Sequence, residues 1–407
     1  MRMTKMSLMA ALLLGSSAAY AFENTNVSGD ARFFYSTTDG TSDGSKADLF
    51  GKDTSTADAS VNLGVTTDID ETFKMGVKGY AVSTLGLQEQ IATNVWSGSH
   101  LNMDTGEIDY PSSAWIGEAW LEATFGKTAA KVGRMELDTP FVFTETWGVA
   151  PNTFEAATLV NTDLPDTTIV AAWIDSGNGY SQFLLTDTNG DFSPVGDQGA
   201  ITLGITNNSW QPLTAQAWYY ELPDYAQAYW LQADFAMEGI VAGIQYAGMN
   251  PDENLSTADD STAFAVKIGY EGIENLGLYA SYSTTDKDGD QYIGNIATRP
   301  GDGWGMQSKL YTEAWWNFGY VGLPGTDAYN VTATYNIPDI ADLGLFYTNI
   351  ETDTTAFDNT LNEVTFTAAK SFGKLDTLFA YIYAESDDFN EGDAYNTVQF
   401  YLTYNFQ

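Results

Sequence analysis

The sequence of 407 residues has no cysteine, a single histidine, and only 16 lysines and arginines against 54 aspartates and glutamates. Because there is no cysteine, disulfides cannot indicate the compartment, and the sequence fits an oxidising space as well as a reducing one. The formal net charge of −38 repels nucleic acid and anionic membrane surfaces. Nucleic-acid binding is therefore excluded.

Long apolar runs are also missing. Arg2 and Lys5 precede the apolar residues 6–15 and the small-residue ending Ala19-Tyr20-Ala21, a pattern that predicts a secretory signal peptide over residues 1–21. A membrane-anchoring helix is the alternative, but this run is shorter than the roughly 20 residues a span needs. No later stretch is long enough, so insertion of the mature chain, residues 22–407, into a membrane requires a single β-barrel domain.

The chain is rich in aromatic residues, at 14%, which is far too many for a disordered acidic chain and predicts a folded one. At the C-terminus, Val398, Phe400, Leu402, Tyr404 and Phe406 alternate with polar residues and Tyr401. This period of two is typical of a β-strand. The same alternation recurs in residues 73–78, 264–271 and 329–336, in segments of about ten residues, the length of a tilted membrane strand.

Connection lengths distinguish a barrel from a soluble β-sandwich, which would alternate in the same way. Long polar loops separate very short turns, an asymmetry typical of outer-membrane barrels with tight periplasmic turns and extended outer loops. The predicted turns lie at residues 68–71, 126–127, 208–212, 238–239, 272–275, 338–341 and 373–374. An eighth turn at 175–179, followed by a strand over 180–187, gives 18 strands, whereas one loop over 175–198 gives 16.

The prediction is thus an all-β transmembrane antiparallel barrel. Tyrosines at strand ends are expected to form aromatic girdles, namely Tyr35, Tyr80, Tyr270, Tyr335 and Tyr404. An 18-stranded barrel leaves an aqueous lumen. The charged residues predicted to face it are Asp30, Arg32, Lys74, Lys78, Glu118, Glu122, Lys131, Arg134, Lys267 and Glu271.

Residues 133–140, 150–156 and 163–168, extended by 213–220 and 228–233, closely resemble the third-loop region of OprD-type outer-membrane porins. The likeness is to the major outer-membrane porins of campylobacter-type, epsilonproteobacterial, bacteria in particular. The resemblance implies an 18-stranded barrel, often trimeric, whose third loop folds inward. Two features depart from the family pattern. Channels of this family that take up carboxylate solutes line the lumen with a ladder of basic residues, and this chain has few basic residues. Such barrels usually end in an aromatic residue, whereas here Gln407 follows Phe406.

Residues 138–166 are predicted to form that constriction loop. Phe141, Val142, Phe143, Trp147 and Phe154 would pack on the inner wall, because a surface loop would expose a sizeable apolar patch. The acids expected to line the passage are Asp138, Glu145, Glu155, Asp163 and Asp166. Carboxylates around a narrowing concentrate cations and repel anions, which predicts cation preference.

The basic residues near the loop allow two interpretations. Arg32, Lys74, Lys78, Lys131 and Arg134 could face the acids and create a transverse field. Alternatively, each could form a salt bridge that holds the loop in place. For Lys131 and Arg134, which lie closest to the loop, the sequence favours neither.

Three further sequence features bear on other possible functions, namely calcium binding, catalysis and adhesion. The strings at 187–191 and 286–290 resemble calcium loops but have glycine at the fourth position and lack the closing glutamate; they are expected to be loop turns, with loose binding of a divalent cation such as Ca²⁺ as the alternative. His100 has no accompanying nucleophile motif, so no enzyme activity is predicted. Trp304, Trp315 and Trp316 in the loop 286–327 could instead support an adhesin.

The sequence therefore predicts an outer-membrane porin with no obligatory cofactor. It is expected to pass ions and small hydrophilic solutes by passive diffusion, with a substrate-specific channel and a surface adhesin as alternatives. The expected partners are outer-membrane lipid and lipopolysaccharide, two further copies in a homotrimer, and the permeating solutes and cations.

Overall fold

The computed structural model describes residues 23–41, 47–83, 85–87, 112–179, 192–195, 198–252, 258–296, 307–354, 358–387 and 389–406. The predicted signal peptide 1–21, the acidic string 187–191, His100 and Trp304 lie outside the described residues. No helix in the described ranges is long and apolar enough to cross a membrane.

The fold is a closed antiparallel barrel of 18 strands. The strands are β1 (Glu23–Thr38), β2 (Ser55–Asp68), β3 (Phe73–Ser83), β4 (Ser112–Phe125), β5 (Thr128–Met135), β6 (Phe154–Asn161), β7 (Thr167–Gly177), β8 (Ala200–Trp210), β9 (Leu213–Leu222), β10 (Ala226–Met237), β11 (Ile240–Pro251), β12 (Ser261–Ile273), β13 (Leu276–Thr285), β14 (Thr326–Ile337), β15 (Ala341–Asp353), β16 (Asp358–Phe372), β17 (Leu375–Ser386) and β18 (Tyr395–Asn405). A two-residue strand, Ser193–Pro194, extends the wall beside the end of β7. Short 3-10 helices occupy Lys52–Thr54, Phe318–Tyr320 and Asn390–Gly392.

Each strand pairs with its sequence neighbours, and the first strand pairs with the last. Asp30 lies opposite Asn405 and Thr38 opposite Thr397, so β1 and β18 close the ring. Closure removes the unpaired sheet edges that an open sheet would leave. The prediction of an all-β barrel with 18 rather than 16 strands is confirmed.

The connections differ in length between the two ends of the barrel. All seven predicted short turns are present at one end to within a few residues. Most connections at the other end are long, the longest being residues 286–325 and 84–111, although 223–225 and 354–357 are short. The end with the short turns is the one that the sequence analysis assigned to the periplasm.

One turn was predicted in the wrong place. Strand β7 pairs directly with β8 from Thr167 opposite Asn207 to Ile174 opposite Ala200 and continues to Gly177, which contradicts a turn at 175–179. The predicted strand over 180–187 lies outside the described residues. The missing turn is at residues 162–166, between β6 and β7. The total of 18 was right because one false turn replaced one true turn.

Alternation gives the wall an apolar outer face and a largely polar inner face. On β8, Ile201, Leu203 and Ile205 are exposed on the outside while Thr202 is buried on the inside. The C-terminal strand follows its predicted pattern, with Phe400 and Leu402 on the outer face. Successive strand residues point to opposite faces, so this pattern follows from the sequence.

The tyrosines predicted for the girdles divide into two groups. Tyr270, Tyr335 and Tyr404 are exposed, as the prediction requires. Tyr80 is buried inside the barrel, so the prediction was wrong for it, whereas Tyr35 lies opposite Phe400 on the outer face but is buried there. Lys78 points into the barrel. Tyr80 lies on the same face because residues two positions apart on a strand point to the same side.

The largest cluster of buried apolar side chains lies inside the barrel. It joins Phe141 and Phe154 to the inner-wall residues Tyr220 and Trp230 and to Ile293 of the loop 286–325. Two loops therefore pack against the inner face of the wall, and this packing positions the candidate site.

Candidate functional site

The connection between β5 and β6, residues 136–153, packs on the inner wall through Phe141. This side chain is fully buried, and its ring meets Tyr220 and Trp230 edge-on, with centroid distances of 5.5 and 5.7 Å. Edge-to-face pairs of this kind stabilise a contact by about 0.5–1.5 kcal/mol beyond area burial. Phe141 anchors the loop to strands β9 and β10.

The loop is also attached to strand β2, at a distant part of the wall. The carbonyl oxygen of Val149 accepts hydrogen bonds from Ser60 Oγ (2.7 Å) and Asn62 Nδ2 (3.4 Å). Val149 and Ala150 are buried beside Phe34 and Tyr80. Residues 136–153 thus contact well-separated strands of the inner wall.

Asn295 connects this loop to the loop 286–325. Its side-chain amide accepts from Phe143 N at 3.3 Å and donates to Phe143 O at 2.8 Å and to Glu145 Oε1 at 2.9 Å. Trp147 Nε1 donates to the other carboxylate oxygen of Glu145 at 2.9 Å. Glu145 is only 4% exposed, so it joins the two loops and does not face a passage as predicted.

The predicted loop 138–166 extends too far. Residues Phe154–Asn161 form strand β6, so the loop ends at Thr153. Asp163 and Asp166 lie in the short turn at the opposite end of the barrel, where Asp163 accepts from Asn161 Nδ2 at 2.7 Å. An eight-residue strand spans about 26 Å, which excludes these two acids from any narrowing formed by the loop.

Arg134 and Glu155 form an ion pair of 2.8 Å between neighbouring strands. The pairing register places them on the face opposite that of Lys131 and Thr158, because residues three apart on a strand point to opposite sides. That face carries exposed Val132 and is the outside of the wall. The prediction that Arg134 faces the lumen and that Glu155 lines the passage was wrong.

Most of the other predicted lumen charges are paired with one another along the inner face. Arg32 binds Asp30 at 2.7 Å, Lys78 lies 3.5 Å from both Glu118 and Glu136, and Lys131 lies 3.3 Å from Glu122. Lys74 stands opposite Glu122 in the register of β3 and β4. The salt bridge of Lys78 with Glu136 reaches the start of the loop, as the loop-holding interpretation predicts, whereas Lys131 is paired with Glu122 of the wall and does not contact the loop through this ion pair.

A second loop segment, residues 307–318, also lies along the inner wall. Gln245 Nε2 donates to Lys309 O at 2.9 Å, and Ser281 Oγ donates to Tyr311 O at 2.8 Å. Lys309 Nζ forms an ion pair with Asp138. The sequence predicted an outer loop for this stretch and gave no indication of these inward contacts.

Tyr311 sits in a charged cluster on the wall. Its hydroxyl donates to Asp234 Oδ1 at 2.8 Å, and Lys267 Nζ lies 2.7 Å from the same oxygen and 4.2 Å from the centre of the Tyr311 ring. A side chain at Gly243 would collide with the Tyr311 hydroxyl at 2.4 Å. The glycine therefore leaves room for the tyrosine.

Glu271, the remaining predicted lumen charge, accepts a hydrogen bond from the Tyr279 hydroxyl at 2.5 Å, near the end of the barrel with the short turns.

Glu363 on strand β16 holds the end of the same segment. Its carboxylate, 1% exposed, accepts hydrogen bonds from the backbone amides of Trp315, Trp316 and Asn317 at 2.7 to 3.2 Å. Trp315 Nε1 donates to Gln399 at 3.1 Å. Trp315 and Trp316 are therefore attached to the inner wall, which is not the placement a surface adhesin would use.

Two adjoining cavities lie between the loops and the wall. The larger, of 630 Å³, is lined mainly by aromatic side chains that include Trp147, Trp315 and Phe346. The smaller, of 520 Å³, is lined mainly by polar side chains that include Gln232 and Lys309. Thr146, Tyr311 and Glu313 line both cavities.

Glu313 is exposed and accepts a hydrogen bond from Gln307 Nε2. Crowding by surrounding protein, aided by repulsion from Glu145, raises the pKa of Glu313 to about 7, while Gln307 and Lys309 act in the opposite direction. This carboxylate changes charge near neutral pH. The sequence offered no signal for it, since an isolated glutamate in a long loop resembles any solvated acid.

Within the described residues, no group of histidines or acids has the arrangement of a metal site. In the string 286–290, Asp286 Oδ1 accepts from Asp288 N at 3.1 Å and Lys287 pairs with Asp353 at 2.5 Å. These contacts are those of a loop turn. Loose binding of a divalent cation stays an untested alternative.

No protein-family model and no curated protein matches the sequence. Solved structures do match the fold. OccK8 (OprE) of Pseudomonas aeruginosa has a TM-score of 0.73 at 17% identity, with 95% of this chain and 98% of that chain covered. OccAB1 of Acinetobacter baumannii gives 0.75 at 15% identity, covering 94% and 97%. OpdK of Pseudomonas aeruginosa, solved with vanillate, gives 0.73 at 12% identity, covering 95% and 99%.

These structures are OprD/Occ-type outer-membrane porins. At such identities the likeness establishes a shared fold. The resemblance predicted from the sequence is confirmed at that level, and the relation to campylobacter-type porins stays a prediction.

Proposed function

We propose that the chain forms a porin of the bacterial outer membrane through which ions and small hydrophilic solutes diffuse passively. The observation that carries the proposal is the closed barrel of 18 strands with an apolar outer face and a largely polar interior. Hydrocarbon offers no hydrogen-bond partners, so closed barrels and helices are the structures that span a bilayer. An 18-stranded barrel is wide enough to hold an aqueous channel.

The loop 136–153 narrows this channel in our proposal, with help from residues 307–318. Support comes from the contacts of Phe141 and Val149 with different parts of the inner wall. It also comes from the hydrogen bonds by which Asn295 of the other loop holds Phe143 and Glu145. Two cavities beside Glu313 lie between these loops and the wall. Their different linings favour a channel with some solute specificity over a wide, unselective pore.

We further propose that the channel prefers cations. The net charge of −38 supports this, as does the neutralisation of interior lysines by their own acidic partners, such as Lys78 by Glu118 and Lys267 by Asp234. Carboxylates that remain near the passage, above all Glu313, raise the local concentration of cations.

A planar-bilayer recording tests the proposal. Purified protein should insert as discrete conductance steps in KCl, and a tenfold salt gradient should give a reversal potential of the sign expected for cation passage. The absence of conductance steps from protein that is folded by circular dichroism would contradict the channel. A potential of zero or of opposite sign would contradict only the cation preference.

Export by the predicted signal peptide, contact with lipopolysaccharide and assembly as a homotrimer are part of the proposal. The trimer rests on the resemblance to OprD-type porins alone. Cross-linking in mild detergent should give a ladder that ends at three copies, and a ladder that ends at one would show a monomer.

A further inference from the structure

We propose that the aromatic cavity beside Trp147, Trp315 and Glu313 is a binding subsite for organic cations that carry an apolar or aromatic group. The inference rests on the proposed channel function and adds the class of solute that the channel retains. The cavity measures 630 Å³, which is within the size range of sites for small organic ligands.

The indoles of Trp147 and Trp315 line the cavity, and the N–H group of each is already engaged. Trp147 Nε1 already donates to Glu145, and Trp315 Nε1 already donates to Gln399. The Trp147 ring lies 5.9 Å from that of Phe318, and the Trp315 ring lies 5.5 Å from that of Phe346. With the N–H groups engaged, what the two tryptophans offer a ligand is the negative face of each ring, which attracts cations.

The polar side chains of the wall are also engaged. Thr332 Oγ1 donates to Asn330 Oδ1 at 2.8 Å, and Asn330 Nδ2 donates to Thr348 Oγ1 at 2.8 Å. A sugar needs many free donors and acceptors, and these contacts leave few on this side of the cavity. The arrangement therefore favours an apolar cation over a polyhydroxyl solute.

Charge favours a cation as well. Glu313 lines the cavity and is exposed to it, whereas none of the described lining residues is a lysine or arginine. The nearby Lys309 lines the neighbouring polar cavity and is paired with Asp138. A cation in the aromatic cavity would thus meet a carboxylate and aromatic rings, with no competing positive charge among the described lining residues.

The test uses single-channel recording of the full-length mature protein in KCl with three probes of similar size. Benzyltrimethylammonium should interrupt the current in resolvable blockades, whereas benzyl alcohol, which is neutral, and benzoate, which is an anion, should not. Glu313→Gln keeps the shape of the side chain and should weaken the blockade by roughly tenfold, the scale of one favourable cation–π or charge contact. Trp315→Leu should weaken it to a similar extent.

Matched controls keep the result specific. Glu351→Gln removes a carboxylate from the outer face of β15, where its neighbours Ile350 and Thr352 point inward. Trp210→Leu removes an exposed indole from the last residue of β8, at the end of the barrel with the short turns. Both should leave the blockade unchanged. Equal blockade by benzoate, or an unaltered blockade in Glu313→Gln, would overturn the subsite.

The two proposals fail in different ways. A protein that conducts KCl but shows no cation-specific blockade keeps the channel function and loses the subsite. A protein that gives no KCl conductance fails at the channel itself.

Discussion

Glu363 on the barrel wall binds Asn317 of the loop twice: its carboxylate accepts from the backbone amide at 2.9 Å and from the side-chain amide at 2.8 Å. Glu363 is buried at the inner face, and the same carboxylate accepts hydrogen bonds from the backbone amides of Trp315 and Trp316. A single inward carboxylate thereby fixes the direction in which the segment 307–318 leaves the wall.

Replacement of Glu363 by alanine is expected to release that segment. Three backbone amides would lose their acceptor, and each buried unsatisfied group costs about 1–3 kcal/mol. The single-channel current should become larger and noisier, and protease should cut within residues 307–318. Glu351→Ala, on the outer face of the neighbouring strand, is the control and should behave like the wild type; a quiet, unchanged current in Glu363→Ala would contradict the anchoring role.

Replacement of Lys309 by methionine should increase cation preference. The change removes the positive partner of Asp138, whose carboxylate is 90% exposed, and so leaves a free negative charge beside the polar cavity. The reversal potential in a KCl gradient should shift further toward the cation limit. Lys287→Met, which breaks the exposed ion pair with Asp353, should change it much less, and equal shifts in both variants would argue against a local effect.

Glu155→Gln should leave ion selectivity unchanged. The carboxylate lies on the outer face and is held by Arg134 and Ser176, where it does not act on ions inside the barrel. The same reversal-potential measurement should detect a loss of cation preference in Asp138→Asn. A loss of similar size in Glu155→Gln would place its side chain in the passage after all.

Cation preference should rise between pH 6 and pH 8. Because the pKa of Glu313 is raised to about 7, the side chain is mainly neutral at the lower pH and mainly charged at the higher one. Crowding by the surrounding protein is the main cause of the raised pKa; among the neighbouring groups Glu145 raises it further, and Gln307 and Lys309 lower it. Glu313→Gln should flatten the pH profile of the reversal potential, and an unaltered profile in that variant would assign the titration to another group.

Much of the fold could be predicted from alternation and turn chemistry. The C-terminal strand is regular, with Val398 to Phe406 keeping one face throughout, and Gly126 and Gly373 mark turns where their φ angles of 61° and 64° favour glycine. Strand β6 was missed because its eight residues carry two adjacent alanines, and the turn at 162–166 was absorbed into the predicted loop.

The candidate site was predicted less well because it depends on contacts between distant parts of the chain. Lys131 and Arg134 were both assigned to the interior, although three positions along a strand reverse the face. Glu145 was correctly placed in the loop, but its partner Asn295 is 150 residues away. Glu363 did carry a signal, since it occupies an inward position between Leu361 and Thr365 of a regular strand.

The clamp between Phe143 and Asn295 also has a consequence for the order of assembly. These residues are 152 positions apart, and the aromatic anchors of the first loop lie on strands that follow it in the chain. A nascent chain that ends before Asn295 can already pack Phe141 on Tyr220 and Trp230, but it lacks the side chain that binds Phe143 and Glu145. The link between the two loops therefore forms only after the segment that carries Asn295 has been added.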